Sequence, residues 1–350
     1  MSLSSGTASF LAMLAIGLAL LVGAPMVFDL FALLQVTVFV AMAVLALSQG
    51  FIWGYGGIMS FGQSAFFGLG GYTYAVVAMN AGDSTGAVLL AILLPTLFAA
   101  LLGYFMFYGR ISDAYVGVIT LTVTIILFSV FNSTAGDAYT IGNAPLGGFN
   151  GMPAVPPLNI PGRPDLPLEP EQLWYASMGC LVLVYGLLRG ILASRFGRVV
   201  VAIRENETRA QLLGYDTRLY KLLVFAIGGG IAGAAGCLFT NWGGFISPTV
   251  FSLATSAQVL IYVLVGGLGT LLGPILGAIA IQYLISLLGA QQVINANLVL
   301  GVILAAFVLL VPQGVVPVLR DALARLRPPS HPRAKPGNGL PDAAGVEAKP

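Results

Sequence analysis

Nine charged residues crowd into the 27 positions between Arg195 and Lys221, and acids and bases are mixed among them. Arg204, Glu205, Glu207 and Arg209 form the densest part. Around 198–213 the spacing predicts a helix. Val201, Ile203, Ala210, Leu212 and Leu213 are its apolar positions, while Arg204, Glu207 and Gln211 recur three and four apart. Glu205 and Arg209 are spaced as an i,i+4 ion pair on such a helix. Gly214 follows as its stop. A short charged helix of this kind has the shape to dock into a groove on a soluble partner. An ordinary basic loop is the alternative, but topology needs only basic residues and this island also carries acids.

Other chemistry is excluded by what is missing. The single histidine, His331, sits in a Pro-rich tail, and Cys180 and Cys237 fall in apolar stretches without companion ligands, so no metal site can be built. No Gly-rich phosphate cradle of the Walker type is present, so the chain is expected to hold no cofactor and to hydrolyse no ATP itself. Carriers driven by ion gradients place ionisable groups at membrane depth. Here Asp113 and Asp137 lie at the edges of apolar runs. Any energy for uphill work must therefore come from another protein. The net charge of +2 argues against a nucleic-acid partner.

Two glycine-rich segments form a second group of candidates. Gly54–Gly71 contains the polar side chains Ser60, Gln63 and Ser64, and Gly266–Gly277 contains Gly266, Gly267 and Gly269. Gly- or Pro-interrupted apolar segments at corresponding places in two halves point to broken helices around a central path. Helix packing through small residues competes with that reading, since Gly269, Gly273 and Gly277 are spaced four apart. Interhelical hydrogen bonding likewise competes with a pore-lining role for Ser60, Gln63 and Ser64.

These groups are embedded in a chain of 350 residues that is 58% hydrophobic and 8% charged, with a mean hydropathy of +0.94. Soluble domains carry about 25% charged residues, so lipid is the expected solvent. Residues 222–319 contain no Asp, Glu, Lys or Arg. Candidate spans fall near 9–27, 32–50, 60–80, 86–108, 114–134, 173–193, 220–240, 253–270, 272–289 and 295–312. Each needs about 20 apolar residues, and the glycine-rich ones can be half-spans or re-entrant. The expected fold is all-α, a polytopic membrane bundle of about 8–10 helices with broken Gly-rich segments in two related halves. The first run is read as a retained span and not a removed signal peptide, because no basic region precedes it.

Seven of the fifteen basic residues lie in 189–221 and six in 320–349, which places both segments in the cytoplasm. Both termini are then cytoplasmic and 135–172 is external. That loop is too rich in Pro and Gly for a span, and its length suggests an ordered cap facing a partner. The transmembrane domain is assigned to 1–327, with 195–221 as its cytoplasmic coupling region. Residues 328–350 have the bias of a disordered tail.

Five segments in sequence resemble the permease subunits of bacterial high-affinity branched-chain amino acid ABC importers. They are 54–76, 115–124, 147–153, 197–239 and the pair ISP (246–248) with VGGLGTLLGPILGA (265–278), within a resemblance covering roughly 30–317. The longest is GRVVVAIRENETRAQLLGYDTRLYKLLVFAIGGGIAGAAGCLF. The resemblance implies a coupling helix at Arg204, Glu205, Glu207, Arg209 and Gly214. Thr208, Arg209 and Ala210 replace the usual EAA, although Gly214 keeps its spacing. Gln63 stands where relatives often have histidine. The resemblance also implies a ribose-type permease fold in the bacterial inner membrane. Its partners would be cytoplasmic ATPase subunits that carry ATP and Mg, a paralogous second permease, a periplasmic solute-binding protein and membrane lipids. Urea and short amides are alternative solutes. A channel or ion-coupled carrier is the competing class.

Overall fold

A computed structural model of the protein describes residues 3–136 and 138–291, together with 299 and 301–302. The tail 328–350, His331, most of the candidate span 295–312 and the end of the 1–327 domain lie outside the described residues. Among the described residues the chain is a helical bundle with two small hairpins. Its helices are α1 (Leu3–Val27), α2 (Leu30–Gln49), α3 (Gln63–Ala81), α4 (Ser84–Tyr108), α5 (Asp113–Ser133), α6 (Pro170–Ala193), α7 (Arg195–Glu205), α8 (Glu207–Leu212), α9 (Thr217–Gly243), α10 (Leu253–Gly266) and α11 (Leu272–Gln291). The hairpins β1–β2 (Thr140–Ile141, Ala144–Pro145) and β3–β4 (Asn159–Ile160, Arg163–Pro167) belong to the segment between α5 and α6.

Among the described residues six helical segments are long and apolar enough to cross a membrane: α2 with the turn that follows it, α4, α5, α6, α9 and the first 18 residues of α11. At 14 residues, α10 is shorter than the length needed to cross a bilayer. This is the broken form that the glycines of 253–289 predicted. The 60–80 candidate is one continuous helix, α3, that starts at Gln63 after the irregular stretch 56–62.

The helices divide into an inner and an outer set. From Thr37 to Gln49 every residue of α2 is buried, and α9 is buried through most of its Gly/Ala-rich run. The outer helix α4 shows the opposite economy. Its buried positions Ala87, Ala91, Pro95, Ala99 and Gly103 recur every four residues, giving one narrow stripe of small side chains. Leu89, Leu93, Leu97, Leu101 and Phe105 are exposed on other faces, as lipid contact requires.

Lipid tails are as apolar as leucine, so helices associate through close packing and not through hydrophobic transfer. In α9 the sequence GGGIAGAAG provides this closeness. A Cβ at Gly236 would fall 1.9 Å from the Phe67 carbonyl oxygen on α3, and one at Gly70 would fall 2.3 Å from the Gly233 oxygen. Two indole N–H groups add cross-helix hydrogen bonds, from Trp242 to the Leu34 oxygen at 2.7 Å and from Trp174 to the Leu21 oxygen at 3.0 Å.

Gly236→Ala forces the α3 and α9 backbones apart and should destabilise the bundle by about 1–3 kcal/mol. Gly243→Ala, at the end of the same helix with nothing within 4 Å of its Cβ position, should stay within about 0.5 kcal/mol. Thermal unfolding in detergent should separate the two variants clearly; equal melting temperatures would remove the close-packing argument.

Candidate functional site

The charged island is built from two helices and not one. Ser194 begins α7, its Oγ accepting from the Gly197 N–H at 3.3 Å. At Asn206 the backbone turns extended (φ −160°, ψ 98°), and Asn206 Oδ1 accepts from the Arg209 N–H at 2.9 Å to cap α8. Asparagine is well suited to this because its short side chain replaces the first missing helical acceptor. The expected Glu205–Arg209 pair is therefore lost, since the two residues lie on different helices. Glu205 pairs instead with its neighbour Arg204.

Gly214 ends α8 as expected, with φ +88°. Its N–H bonds to the Gln211 oxygen at 2.9 Å, and the Tyr215 N–H reaches back to the Ala210 oxygen at 3.2 Å. This double closure is the glycine-terminated helix end in which C′ and C″ satisfy the last carbonyls.

Internal bonds then fix α8 on the bundle. Lys221, whose side chain is only 13% exposed, donates to Glu207 at 2.6 Å and to Asp113 at 3.4 Å. The Asp113 contact is open to solvent and worth little; the Glu207 contact ties α8 to α9. Val199, Ile203 and Ala210 form a small buried cluster with Tyr220 against them. Leu212 and Leu213, expected among the apolar helical positions, are instead 83% and 77% exposed. Arg209 is exposed beside them. Next to this tip a cleft of about 630 Å³ opens between α8 and the α4–α5 turn, walled by Arg110, Asp113, Glu207, Gln211, Arg218 and Lys221.

The two glycine segments form two breaks. In the first, α2 runs into a π-helical turn, Gly50–Tyr55, and the chain then stays irregular until α3 begins. Ser60, Gln63 and Ser64 are fully or almost fully buried. Gln49 Nε2 donates to the Ser60 oxygen at 2.8 Å, and the Gly62 N–H reaches Ser60 Oγ at 3.3 Å. Gln63 Nε2 donates to Ser48 Oγ at 2.9 Å and to the Gly228 oxygen at 3.1 Å, joining α2, α3 and α9. Ser64 and Ser256 share a hydroxyl–hydroxyl bond of 2.5 Å, so the N-terminal turns of α3 and α10 meet. The side-chain amide oxygens of Gln49 and Gln63 are buried without a partner among the described residues.

In the second break the chain leaves α10 after Gly266, with Gly267 and Gly269 at φ +106° and +80°, and re-enters a helix at Leu272. Thr270 bridges this gap. Its Oγ1 donates to the Gly267 oxygen at 3.2 Å and accepts from the Gly273 N–H at 3.1 Å. Gly266, Gly273 and Gly277 pack α10 on α11, as the small-residue spacing allows, whereas Gly269 belongs to the contact between breaks. A Cβ on Gly54 would come within 2.9 Å of the Gly269 nitrogen, and one on Gly50 within 2.5 Å of the Pro274 ring.

The segment 138–169 is a tied-down cap, separated from the island by the length of α6, about 36 Å at 1.5 Å per residue. Met152 and Ile246 exchange backbone hydrogen bonds of 2.7 and 3.2 Å, and the Val155 N–H reaches the Gly244 oxygen at 3.0 Å. Tyr74 Oη donates to the Pro156 oxygen at 3.0 Å. Asn80 holds the first hairpin through the Ile141 oxygen and the Asn143 N–H. Asn159 donates to Asp83 at 3.0 Å and accepts from the Ser84 N–H at 2.6 Å.

The arrangement defines a class: a polytopic membrane protein with paired helix breaks and, at one end, a braced charged helix that exposes two leucines. The family profile described as "Branched-chain amino acid transport system / permease component" matches residues 30–311, and the chain belongs to that family. It is accordingly a permease component of an ABC transport system, in which a membrane subunit works with separate ATPase and substrate-binding proteins. Among its relatives is the high-affinity branched-chain amino acid transport system permease protein LivM of Escherichia coli strain K12, 27% identical over 303 residues, 80% of this chain and 68% of that protein. The Salmonella typhimurium LivM matches to the same extent. The autoinducer 2 import system permease protein LsrC of Salmonella choleraesuis is 38% identical over 116 residues, covering 31% of this chain and 33% of LsrC. No solved structure matches the chain significantly.

The Asp83 carboxyl lies below its usual value of 3.8, first because of the Asn159 hydrogen bond and then because of the Thr85 N–H. A depressed value means that the folded cap favours the charged carboxylate. This anchorage is complete above the usual value and fades as pH falls through the lower folded one. Amide exchange in 155–168, corrected for intrinsic rate, should be constant from about pH 8 to 5 and rise in stronger acid. Asp83→Ala should raise it severalfold at neutral pH. Unchanged exchange in that variant would detach Asp83 from the cap.

Proposed function

We propose that this chain lines the solute path of an ABC importer for branched-chain or related amino acids and is driven by cytoplasmic ATPase subunits docking on α8. The observation that carries this reading is the island itself. It holds a short helix, braced by Glu207–Lys221, that exposes Leu212, Leu213 and Arg209 beside a cleft rich in both charge signs. Exposed leucines on a fixed charged helix are a poor lipid anchor and a good protein-docking surface. On this reading the island and both termini face the cytoplasm, the cap faces a periplasmic solute-binding protein, and a second permease completes the path.

Ser60, Gln63 and Ser64, with Gly266, Gly267 and Gly269, are assigned to the closed path. The buried, unpartnered Gln49 and Gln63 oxygens support this, because a pathway opened here would give them solvent or solute as partners. ATP and Mg are assigned to the partner ATPase. Amino acids are the favoured solute from the family; the LsrC matches cover from about a third to half of that protein, against 68% of LivM, so autoinducer 2 is a weaker guide. Urea and short amides compete for the same assignment.

Leu212→Asp with Leu213→Asp should leave membrane insertion intact and weaken ATPase co-purification by about tenfold or more. Uptake of labelled leucine should fall in parallel. An unaltered complex would move the dock elsewhere, and wild-type uptake of urea without leucine would replace the solute assignment.

A further inference from the structure

Arg204 departs from the rest of the island. Its Nη1 donates to the carbonyl oxygen of Gly54, in the π turn where the first break begins. Gly57 lies under its stem; a Cβ there would sit 2.8 Å from Arg204 Cγ. Gly269 of the second break lies on the other side, where a Cβ would be 3.7 Å from Nη1. One guanidinium therefore stands at the point where the two breaks touch. Its outer edge is held by Glu205, whose Oε1 accepts from Nε at 3.2 Å and from Nη2.

The Gly54 carbonyl is a natural target. The trailing N–H groups of the turn bond further back, Gly56 to Phe51, Gly57 to Trp53 and Ile58 to Ile52, which leaves Gly54 facing the side chain. It also lies at a helix C-terminus, where the partial charge is negative and a cation is favoured. The planar fork of arginine can serve two acceptors in different directions, as a lysine ammonium on one flexible stem cannot in the same geometry.

We propose that Arg204 is the positioning residue that carries motion of α7–α8 into the path, a clasp that holds the first glycine break closed against the second until α7 shifts. The proposal rests on the reading of α8 as the ATPase dock and adds the link between that dock and the solute path. Arg204 is in the last turn of α7, two residues before the Asn206 elbow, so a push on α8 acts on it directly. Hydrogen bonds weaken steeply beyond about 3.5 Å, so a displacement of one ångström or so releases Gly54. No large rearrangement of the bundle is needed.

The test uses the complete transporter in proteoliposomes, with leucine uptake and ATP hydrolysis measured together. Arg204→Ala should lower solute moved per ATP by about tenfold while ATPase co-purification stays at the wild-type level. Arg204→Lys should recover part of the coupling. Gly57→Ala, which crowds the arginine stem and also strains a backbone at φ +70°, should lower the ratio as well without removing a charge. In the permease alone, a Ser60→Cys reporter should react faster with a thiol reagent when Arg204→Ala is added, because the first break is no longer held. Lost ATPase association in Arg204→Ala would make it a docking residue, and an unchanged solute-to-ATP ratio would overturn the clasp. Failure of the wild-type chain to bind any ATPase would sink the docking reading instead, with the Ser60→Cys reporter still deciding whether Arg204 closes the break.

Discussion

The constraint on which this structure depends is that backbone N–H and C=O groups cannot go unpaired where water is absent. Continuous helices meet it without help, but a broken helix does not. Each break here is accordingly furnished with side chains aimed at the backbone. Gln49 serves the Ser60 carbonyl, Thr120 Oγ1 accepts from the Phe61 N–H at 3.1 Å, Thr270 closes the second gap, and Arg204 reaches Gly54. Much of the polar chemistry inside the bundle is thus spent on keeping two interruptions in place. This explains how a chain so poor in charge can hold irregular backbone in its interior.

The same constraint separates stiff from yielding parts. Between α3 and α9 the packing is glycine against backbone, flanked by the Phe66–Phe225 and Phe67–Phe239 ring pairs at 5.4 Å, so the pair behaves as one body. At the breaks, the contacts are single hydrogen bonds that can be exchanged one at a time. The cap and the island occupy the two ends, each fixed through several independent bonds.

Much of the fold was legible because lipid imposes a simple code. Charge-free runs located the helices, and Gly-rich interruptions within them marked both breaks, since no other residue permits such close approach. The island was equally visible, as was Gly214 as its stop. The two-helix elbow was not read, although Asn206 carried the signal: a helix-capping residue followed three positions later by the N–H it would cap. Periodicity alone ran across it and produced a false Glu205–Arg209 pair. Leu212 and Leu213 were read as apolar positions of that single helix, and the structure leaves both exposed at the end of α8.

Composition and spacing by themselves determined the solvent, the helical class, the interrupted segments and the concentration of charge at one place, because each follows from the local cost of putting a residue in lipid or water. The partners of the polar groups were decided by tertiary structure alone. Arg204 and Gly54 are 150 positions apart, Ser64 and Ser256 are 192 apart, and Lys221 chooses among several acids. Such pairings depend on how whole helices cross, and no local energy term in the chain records a crossing before the bundle has formed.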